Sequence, residues 1–172
     1  MRTLALSRAN QVWALDTTYI AMAIGFVYLT AVIDIGSRKV LAHKVAITLE
    51  ACHVKEVIEQ TLKRYGTPEI INTDQGSQFT ATEFTDVVLV QGCKLSVDAR
   101  GAWRDNVFVE RVWCSLKYGR VYMTAYDSVG AVRADIADCF AWYNTHRPHS
   151  SLERLTPDEK TFGRLPTMAR AA

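Results

Sequence analysis

The sequence predicts an α/β domain with a five-stranded mixed sheet, in which three antiparallel strands come first and two further strands come later, flanked by helices. Apolar residues alternate or run without interruption through three neighbouring segments near the N-terminus, as they do in strands. From there to the C-terminus, segments with apolar stripes at helical spacing alternate with two short strand-like segments. With 172 residues, the chain has the length of one domain and can bury a sizeable core.

The first three strands are predicted to form an antiparallel meander. Val12–Met22 alternates, so that Trp13 and Tyr19 share one face and are expected in the core. Phe26–Asp34 is a continuous β-branched and aromatic run, which is typical of a central strand buried on both faces. A short turn then leads into the third strand, Lys39–Ala46.

Helical and strand-like segments alternate after the meander. Thr48 is the expected N-cap of the first helix, and the short strand Glu69–Asp74 follows that helix. Thr80 and Glu83 have the spacing of a capping box, which predicts a second helix over about 81–91.

A fifth strand and two further helices complete the predicted domain. Cys93–Asp98 alternates as a half-exposed strand, and Arg100–Arg104 is predicted to be a loop. Asp105 is the expected cap of a helix over about 106–118. Ser128 is expected to begin the last helix, which an Arg-Pro pair ends.

Composition excludes several protein classes. Hydrophobic residues make up 49% and charged residues 22% of the chain, so disorder, collagen and coiled coil are not expected. The longest uncharged run, Thr17–Ile33, is too short for a membrane helix, and the N-terminus lacks the apolar stretch of a signal peptide. We therefore expect a cytoplasmic protein with no membrane partner. Four scattered cysteines without a CxxC pair predict ordinary thiols rather than a zinc knuckle or a disulfide framework.

The charge distribution is mildly asymmetric. Residues 1–99 hold nine Lys/Arg against ten Asp/Glu, whereas residues 100–172 hold eleven against eight. The basic surplus of the C-terminal part permits nucleic-acid binding but does not by itself predict it.

Three acidic residues are candidates for metal-dependent chemistry. Asp16 lies in the middle of an otherwise apolar strand, where burying a carboxylate is costly unless it is paired or binds a metal. Asp74 ends a short strand just before a Gly-containing turn, where sheet-based active sites collect ligands. Glu110 lies one turn into a helix and by itself would be an ordinary solvated residue. Together they offer the carboxylate oxygens that Mg²⁺ prefers, and two ions about 3.5–4 Å apart can clamp the attacking and leaving oxygens of a phosphodiester.

Four ordered motifs carry a family resemblance. They are QVWALDTTYI around Asp16, NTDQGSQFT around Asp74, GAWRDNVFVERVWCSLK around Glu110, and YNTHRPHSSL with TPDE near the C-terminus. Thirty-five residues separate Asp74 from Glu110, which matches a D,D,(35)E pattern. With these motifs the chain resembles insertion-sequence transposases of the OrfB type, whose catalytic domain is of the retroviral-integrase kind in the DDE superfamily.

The resemblance implies an RNase H-like fold and a metal-dependent polynucleotidyl transferase. It covers a catalytic core over residues 10–166, between an N-terminal extension over 1–9 and a C-terminal tail over 167–172. The three carboxylates would hold Mg²⁺ or Mn²⁺, two ions in all. Water or a 3′-hydroxyl would attack a DNA phosphodiester in line, giving the strand cleavage and strand transfer of transposition, DNA recombination and DNA integration.

The resemblance also implies partners. These are DNA, as element ends and as target, and further copies of the chain in a homo-oligomer on that DNA, at the nucleoid of a bacterial cell. Relatives commonly carry an upstream helix-turn-helix segment that recognises element ends. Because Asp16 lies so close to the start of the chain, we expect that segment to be a separate or fused part.

Several residues near the carboxylates are predicted to contact DNA. The set comprises Lys117, Arg100, Arg104, Gln78, Trp103 and Asn106. Lys117 lies two helical turns beyond Glu110 on the same face, where it would reach phosphates, and a solvated lysine is the equal alternative. An exposed Trp103 in a basic loop suits base stacking, and anchoring in the core is the equal alternative. The stretch from His146 to His149 is expected to form a structural turn or a DNA-backbone contact.

Two alternatives to an active catalytic core stay open. One is a truncated transposase remnant that binds nucleic acid only weakly despite its three carboxylates. The other is an RNase H-like nuclease that acts on RNA–DNA hybrids, which hybrid and duplex substrates tested side by side would distinguish from a transposase.

Overall fold

A computed structural model describes residues Leu6, 8–97 and 103–163, except for the side chains of 103–106. Its centre is a five-stranded sheet in the order β3-β2-β1-β4-β5. The strands are β1 (Val12–Ala21), β2 (Phe26–Asp34), β3 (Val40–Ala46), β4 (Ile70–Thr73) and β5 (Lys94–Val97). The first three strands pair antiparallel, whereas β4 pairs parallel with β1 and β5 parallel with β4, which confirms the predicted mixed sheet.

Six helices flank the sheet in the described part of the chain. They are α1 (Ala51–Tyr65), α2 (Ser77–Thr80), α3 (Thr82–Val90), α4 (Trp103–Gly119), α5 (Val129–His146) and α6 (Pro157–Phe162). Within the same part of the chain, no helix combines the length and the apolar character that crossing a membrane requires.

Three predicted helix caps are wrong, and two of them concern α1 and α3. The N-cap of α1 is Glu50 rather than Thr48, whose hydroxyl instead shares a hydrogen bond of 3.1 Å with His53 Nε2. The capping box of Thr80 and Glu83 does not form, because the extra helix α2 ends at Thr80 and extended backbone separates it from α3. The Thr80 hydroxyl donates to the Ser77 carbonyl within α2 at 3.3 Å and so caps nothing that follows.

The helix that carries Glu110 is longer than predicted. It begins at Trp103, so Asp105 lies within the helix, and Trp103 and Arg104 belong to its first turn rather than to a loop. It ends at Gly119. In contrast, the predicted cap of α5 is confirmed, since the Ser128 side chain accepts a hydrogen bond from the Ala131 amide at 3.1 Å.

The sheet has an apolar core on each face. One core packs β1 and β2 against α4 and α5, and includes Val12, Ala14, Val109, Val112, Leu116 and Ile136. The other packs the opposite face against α1 and α3, and includes Trp13, Leu15, Val57, Ile58 and Phe84. Because consecutive residues of a strand point to opposite faces, Asp16 shares its face with Ala14 and lies under α4.

The prediction that Trp13 and Tyr19 are core residues is half right. Trp13 is fully buried, but Tyr19 is 59% exposed. Its ring instead contacts the rings of Phe26 and Tyr28, with centroids 5.3 and 5.5 Å away. The alternation of β1 indicated that Trp13 and Tyr19 share a face, but among the described residues Tyr19 belongs to neither apolar core.

Helix α5 packs along the edge of the sheet at β3, and α6 packs against α5. The Asn144 amide bonds both backbone groups of Val40, accepting from its N–H at 3.0 Å and donating to its carbonyl at 2.8 Å. Lys39 is buried and pairs with Asp158 at 2.6 Å. The TPDE motif forms the capping box of α6, where Thr156 and Glu159 bond reciprocally.

Candidate active site

Asp16 is held by two hydrogen bonds in the middle of β1. The Trp113 indole N–H donates to one carboxylate oxygen and the Thr17 amide donates to the other, both at 2.7 Å. Burial raises the pKa of Asp16 from 3.8 to about 6, against the lowering effect of these two donors. Asp74 and Glu110 also raise the pKa of Asp16, because their negative charges lie close enough to repel its carboxylate.

Asp74 reaches the same region from the next strand. Thr73, the last residue of β4, pairs with Leu15 of β1, so Asp74 leaves the sheet beside Asp16. The Asp74 carboxylate accepts a hydrogen bond of 2.9 Å from the Gly76 amide, which closes a tight turn. This bond holds the carboxylate in place where β4 ends.

Gly76 lets the turn after Asp74 pack closely against a side chain. A Cβ atom on Gly76 would lie 2.5 Å from the side-chain amide of Gln78. Gln78 itself is buried, with its side chain folded against the turn. The local sequence Asp74-Gln75-Gly76-Ser77-Gln78 therefore folds as one packed unit that leads into α2.

Glu110 completes the group from the helix side. It lies exposed on α4, and its charge acts on Asp16. Trp113, one turn further along α4, makes the direct bond to Asp16 and so anchors this part of the helix over β1. We did not predict Trp113, although its position three residues after Glu110 places it on an adjacent part of the same helix surface.

The three carboxylates fit a hard divalent cation. Burial is the main cause of the raised pKa of Asp16, and the charges of Asp74 and Glu110 add to it; a bound cation would offset both effects. Asn72 adds a polar atom, because it pairs with Ala14 and therefore lies on the Asp16 face of the sheet. Its Oδ1 is buried without a hydrogen-bond partner among the described residues.

A second group of metal-binding residue types lies elsewhere. Among the described side chains, three ligand atoms within 4.8 Å of one another are found in Glu50, Cys52 and His53 at the start of α1. Glu50 and Cys52 are exposed there. The carboxylate oxygens of Asp16, Asp74 and Glu110, which also belong to the described part, do not all lie within 4.8 Å of one another.

The predicted DNA contacts occupy different environments. Lys117 is half-buried in the last turn of α4, and Gln78 is buried beside the Asp74 turn. The backbone places Trp103, Arg104 and Asn106 in the first turns of α4, but their side chains lie outside the described part. Arg100 also falls outside the described residues. All six remain predictions as DNA contacts.

Comparison with known proteins identifies relatives along almost the whole chain. The Integrase core domain family matches residues 7–102, and a second Integrase core domain family matches residues 91–157. The chain is 30% identical over 156 residues to the transposase InsF for insertion sequence IS3A of Escherichia coli, covering 89% of this chain and 54% of the relative. It is 29% identical over 153 residues to the transposase for insertion sequence element IS904 of Lactococcus lactis, covering 87% and 60%. The chain thus spans little more than half the length of these relatives.

Solved structures show the same fold. The catalytic core domain of HTLV-2 integrase, solved in complex with magnesium, has a TM-score of 0.73 at 19% identity, covering 89% of this chain and 97% of that chain. A simian T-cell lymphotropic virus intasome in complex with a PP2A regulatory subunit has a TM-score of 0.75 at 18% identity, covering 96% and 59%. The predicted RNase H-like fold is confirmed.

Proposed function

Because the chain belongs to the Integrase core domain family, we propose that it is the catalytic core of a DNA transposase that cuts and joins DNA strands. Asp16, Asp74 and Glu110 are the catalytic and metal-binding residues in this proposal. The observation that carries it is their convergence from β1, the end of β4 and α4, close enough for Asp74 and Glu110 to raise the pKa of Asp16. The catalytic core extends over residues 10–166.

The chain itself contributes position and charge. The Trp113 and Thr17 donors hold both oxygens of Asp16, and the Gly76 amide holds Asp74, so two of the three carboxylates are oriented in advance. Mg²⁺ or Mn²⁺, as a pair of ions, would activate the attacking hydroxyl and stabilise the leaving oxygen when bound. Glu110, on the exposed side of α4, remains accessible to solvent and to a nucleic acid.

The proposed partners follow from this activity. DNA serves as element end and as target, and the chain acts as a homo-oligomer on it, together with a separate or fused upstream helix-turn-helix segment. Support for assembly on DNA comes from the likeness to a chain of a viral intasome. We place this work in the cytoplasm at the nucleoid, where bacterial DNA is found. Lys117, Gln78, Arg100, Arg104, Trp103 and Asn106 are proposed to contact the DNA.

The test is metal-dependent cleavage and joining by the purified chain. Supercoiled plasmid and a labelled duplex with a recessed 3′-hydroxyl are incubated with Mg²⁺, with Mn²⁺ and with chelator. We expect nicked plasmid and labelled joined product only with metal, and loss of both in Glu110→Gln. Glu83→Gln, which makes the same change on exposed α3, is the matched control and should retain activity.

Other outcomes favour the alternatives. Cleavage confined to an RNA–DNA hybrid substrate would indicate an RNase H-like nuclease instead. A folded protein that binds Mn²⁺ but yields no product on any substrate would indicate a remnant without catalytic activity. Equal activity of wild type and Glu110→Gln would remove Glu110 from the catalytic group.

A further inference from the structure

A cavity rich in arginine lies on another side of the helix that carries Glu110. It has a volume of about 260 Å³, and we call it the arginine cleft after Arg38, Arg111 and Arg147, which line it. Arg111 directly follows Glu110 and points about 100° away from it around α4. Glu110 and the arginine cleft therefore lie on neighbouring sides of one helix.

The charge of the arginine cleft is unbalanced. Three guanidinium groups line it, and none of the described residues that line it is an aspartate or a glutamate. Burial and the nearby charge of Arg111 lower the pKa of Arg38, against the opposing effects of Tyr143 and Asp34. An anion bound among arginines that line one cavity without a carboxylate would reduce their mutual repulsion.

Aromatic rings contact two of the three arginine side chains. The guanidinium carbon of Arg38 lies 3.5 Å from the centroid of the Phe108 ring, and the group also donates to the Ile35 carbonyl. The guanidinium of Arg147 lies over the Tyr143 ring at 5.6 Å. Such stacking leaves the edge of a guanidinium free to donate hydrogen bonds, and it reduces the entropy lost when a ligand binds.

His149 also lines this cavity. Its ring packs edge-on against Tyr143, with centroids 5.1 Å apart, and the Nε2 atom is buried without a hydrogen-bond partner among the described residues. Burial and the charges of Arg147 and Arg38 lower the pKa of His149.

We propose that the arginine cleft binds a phosphodiester of the DNA backbone, so that one duplex contacts both the carboxylates and the neighbouring side of α4. Planar guanidinium groups match phosphate oxygens in pairs, and phosphate contacts set the register of a protein on DNA. The proposal rests on the proposed function for the identity of its ligand as DNA. It also assigns a role to the Arg-Pro-His stretch that follows α5.

The test measures DNA binding without cleavage. Binding of a fluorescein-labelled duplex is measured by anisotropy at 50, 100 and 200 mM KCl with chelator. The parent protein carries Glu110→Gln, and it is compared with the same protein that also carries Arg111→Gln and Arg147→Gln. We expect the double substitution to weaken binding about tenfold and to lower the slope of log affinity against log salt by about 0.9, for the one phosphate contact that is lost. Lys63→Gln with Lys94→Gln, which removes two exposed charges outside the cleft, is the matched control and should keep the slope. Equal urea midpoints exclude misfolding.

A second arm separates DNA from a free anion. Thermal unfolding is measured in inorganic phosphate and in KCl of equal ionic strength. Stabilisation by phosphate that the double substitution abolishes, together with the lowered salt slope, supports the proposal. Three outcomes would each overturn it. The double substitution could leave the salt slope unchanged although phosphate stabilises the protein, it could change neither the salt slope nor the phosphate stabilisation, or the parent protein could fail to bind the duplex. Metal-dependent cleavage of plasmid by the wild type tests the proposed function separately.

Discussion

Replacing Asp16 with asparagine should stabilise the protein in chelator at neutral pH while abolishing the proposed catalysis. The pKa of this carboxyl group is raised from 3.8 to about 6, so the folded state holds its proton more tightly than the unfolded state. The corresponding stability is present in full below pH 3.8 and is lost as the pH rises through about 6. At about 1.36 kcal/mol per pKa unit, the ionised carboxylate costs the fold about 3 kcal/mol at pH 8.

The net gain is smaller because asparagine cannot replace every contact. Its amide oxygen can still accept from Trp113, but its NH₂ group cannot accept from the Thr17 amide, now bonded at 2.7 Å. A lost hydrogen bond costs about 1–1.5 kcal/mol. We therefore expect a net stabilisation of about 1–2 kcal/mol at pH 8, which raises the Tm by a few degrees in a chain of this size.

Urea unfolding in chelator at pH 5 and pH 8 measures this effect. The advantage of Asp16→Asn should be large at pH 8 and should shrink at pH 5, where the wild-type carboxyl group is mostly protonated. Asp86→Asn, the same change at an exposed position of α3, should alter neither value. An Asp16→Asn protein that is no more stable than wild type at pH 8, or equally advantaged at both pH values, would refute the reasoning. Such stabilisation by removal of an active-site charge is a known trade between stability and activity.

Three further substitutions test other contacts. Trp113→Phe removes the donor to Asp16. We expect a tenfold or greater loss of apparent Mn²⁺ affinity in plasmid cleavage, because residues that support a metal ligand typically contribute about 10–100-fold. An unchanged Mn²⁺ titration would contradict this. Asp158→Ala leaves the buried ammonium of Lys39 without its ion-pair partner and should lower the free energy of unfolding, measured in urea, by about 2–4 kcal/mol. Adding Lys39→Met should restore most of this loss. If it does not, the unpaired charge is not the cause. Asn144→Ala removes the partner of both backbone groups of Val40 on edge strand β3. It should lower the free energy of unfolding by about 2 kcal/mol and make amide hydrogen exchange in β3 faster. Unchanged exchange in β3 would show that the edge does not depend on Asn144.

Periodicity and local composition predicted most of the elements. The bounds of β2 agree with the prediction, and those of β1 differ only in that it ends at Ala21 instead of Met22, because alternation and β-branched runs depend on the strand itself. The Ser128 cap of α5 was also predictable, since it involves only residues three apart. Helix starts were less predictable. Thr48 and Thr80 are acceptable caps by type, but each hydroxyl found another partner once the chain was packed.

Some features of the candidate site could be predicted from the sequence and others could not. The carboxylates Asp16, Asp74 and Glu110 could be selected from the sequence, because a charge in an apolar strand and the spacing of four motifs are properties of the chain alone. Their mutual approach could be expected only through the family resemblance. The role of Trp113 as the partner of Asp16 was not predicted, since 97 residues separate the two along the chain.

The sequence by itself determined the five strands, the four longer helices between and after them, the mixed sheet, and which three carboxylates are candidates for catalysis, but not the short helices α2 and α6. Tertiary structure alone decided that Tyr19 is exposed, that Asp16 bonds Trp113, and that Arg38, Arg111 and Arg147 line one cleft. The physical reason is the range of the interactions. Backbone periodicity and capping act within a few residues, whereas these contacts join distant segments whose meeting depends on how α4 and α5 pack across the sheet.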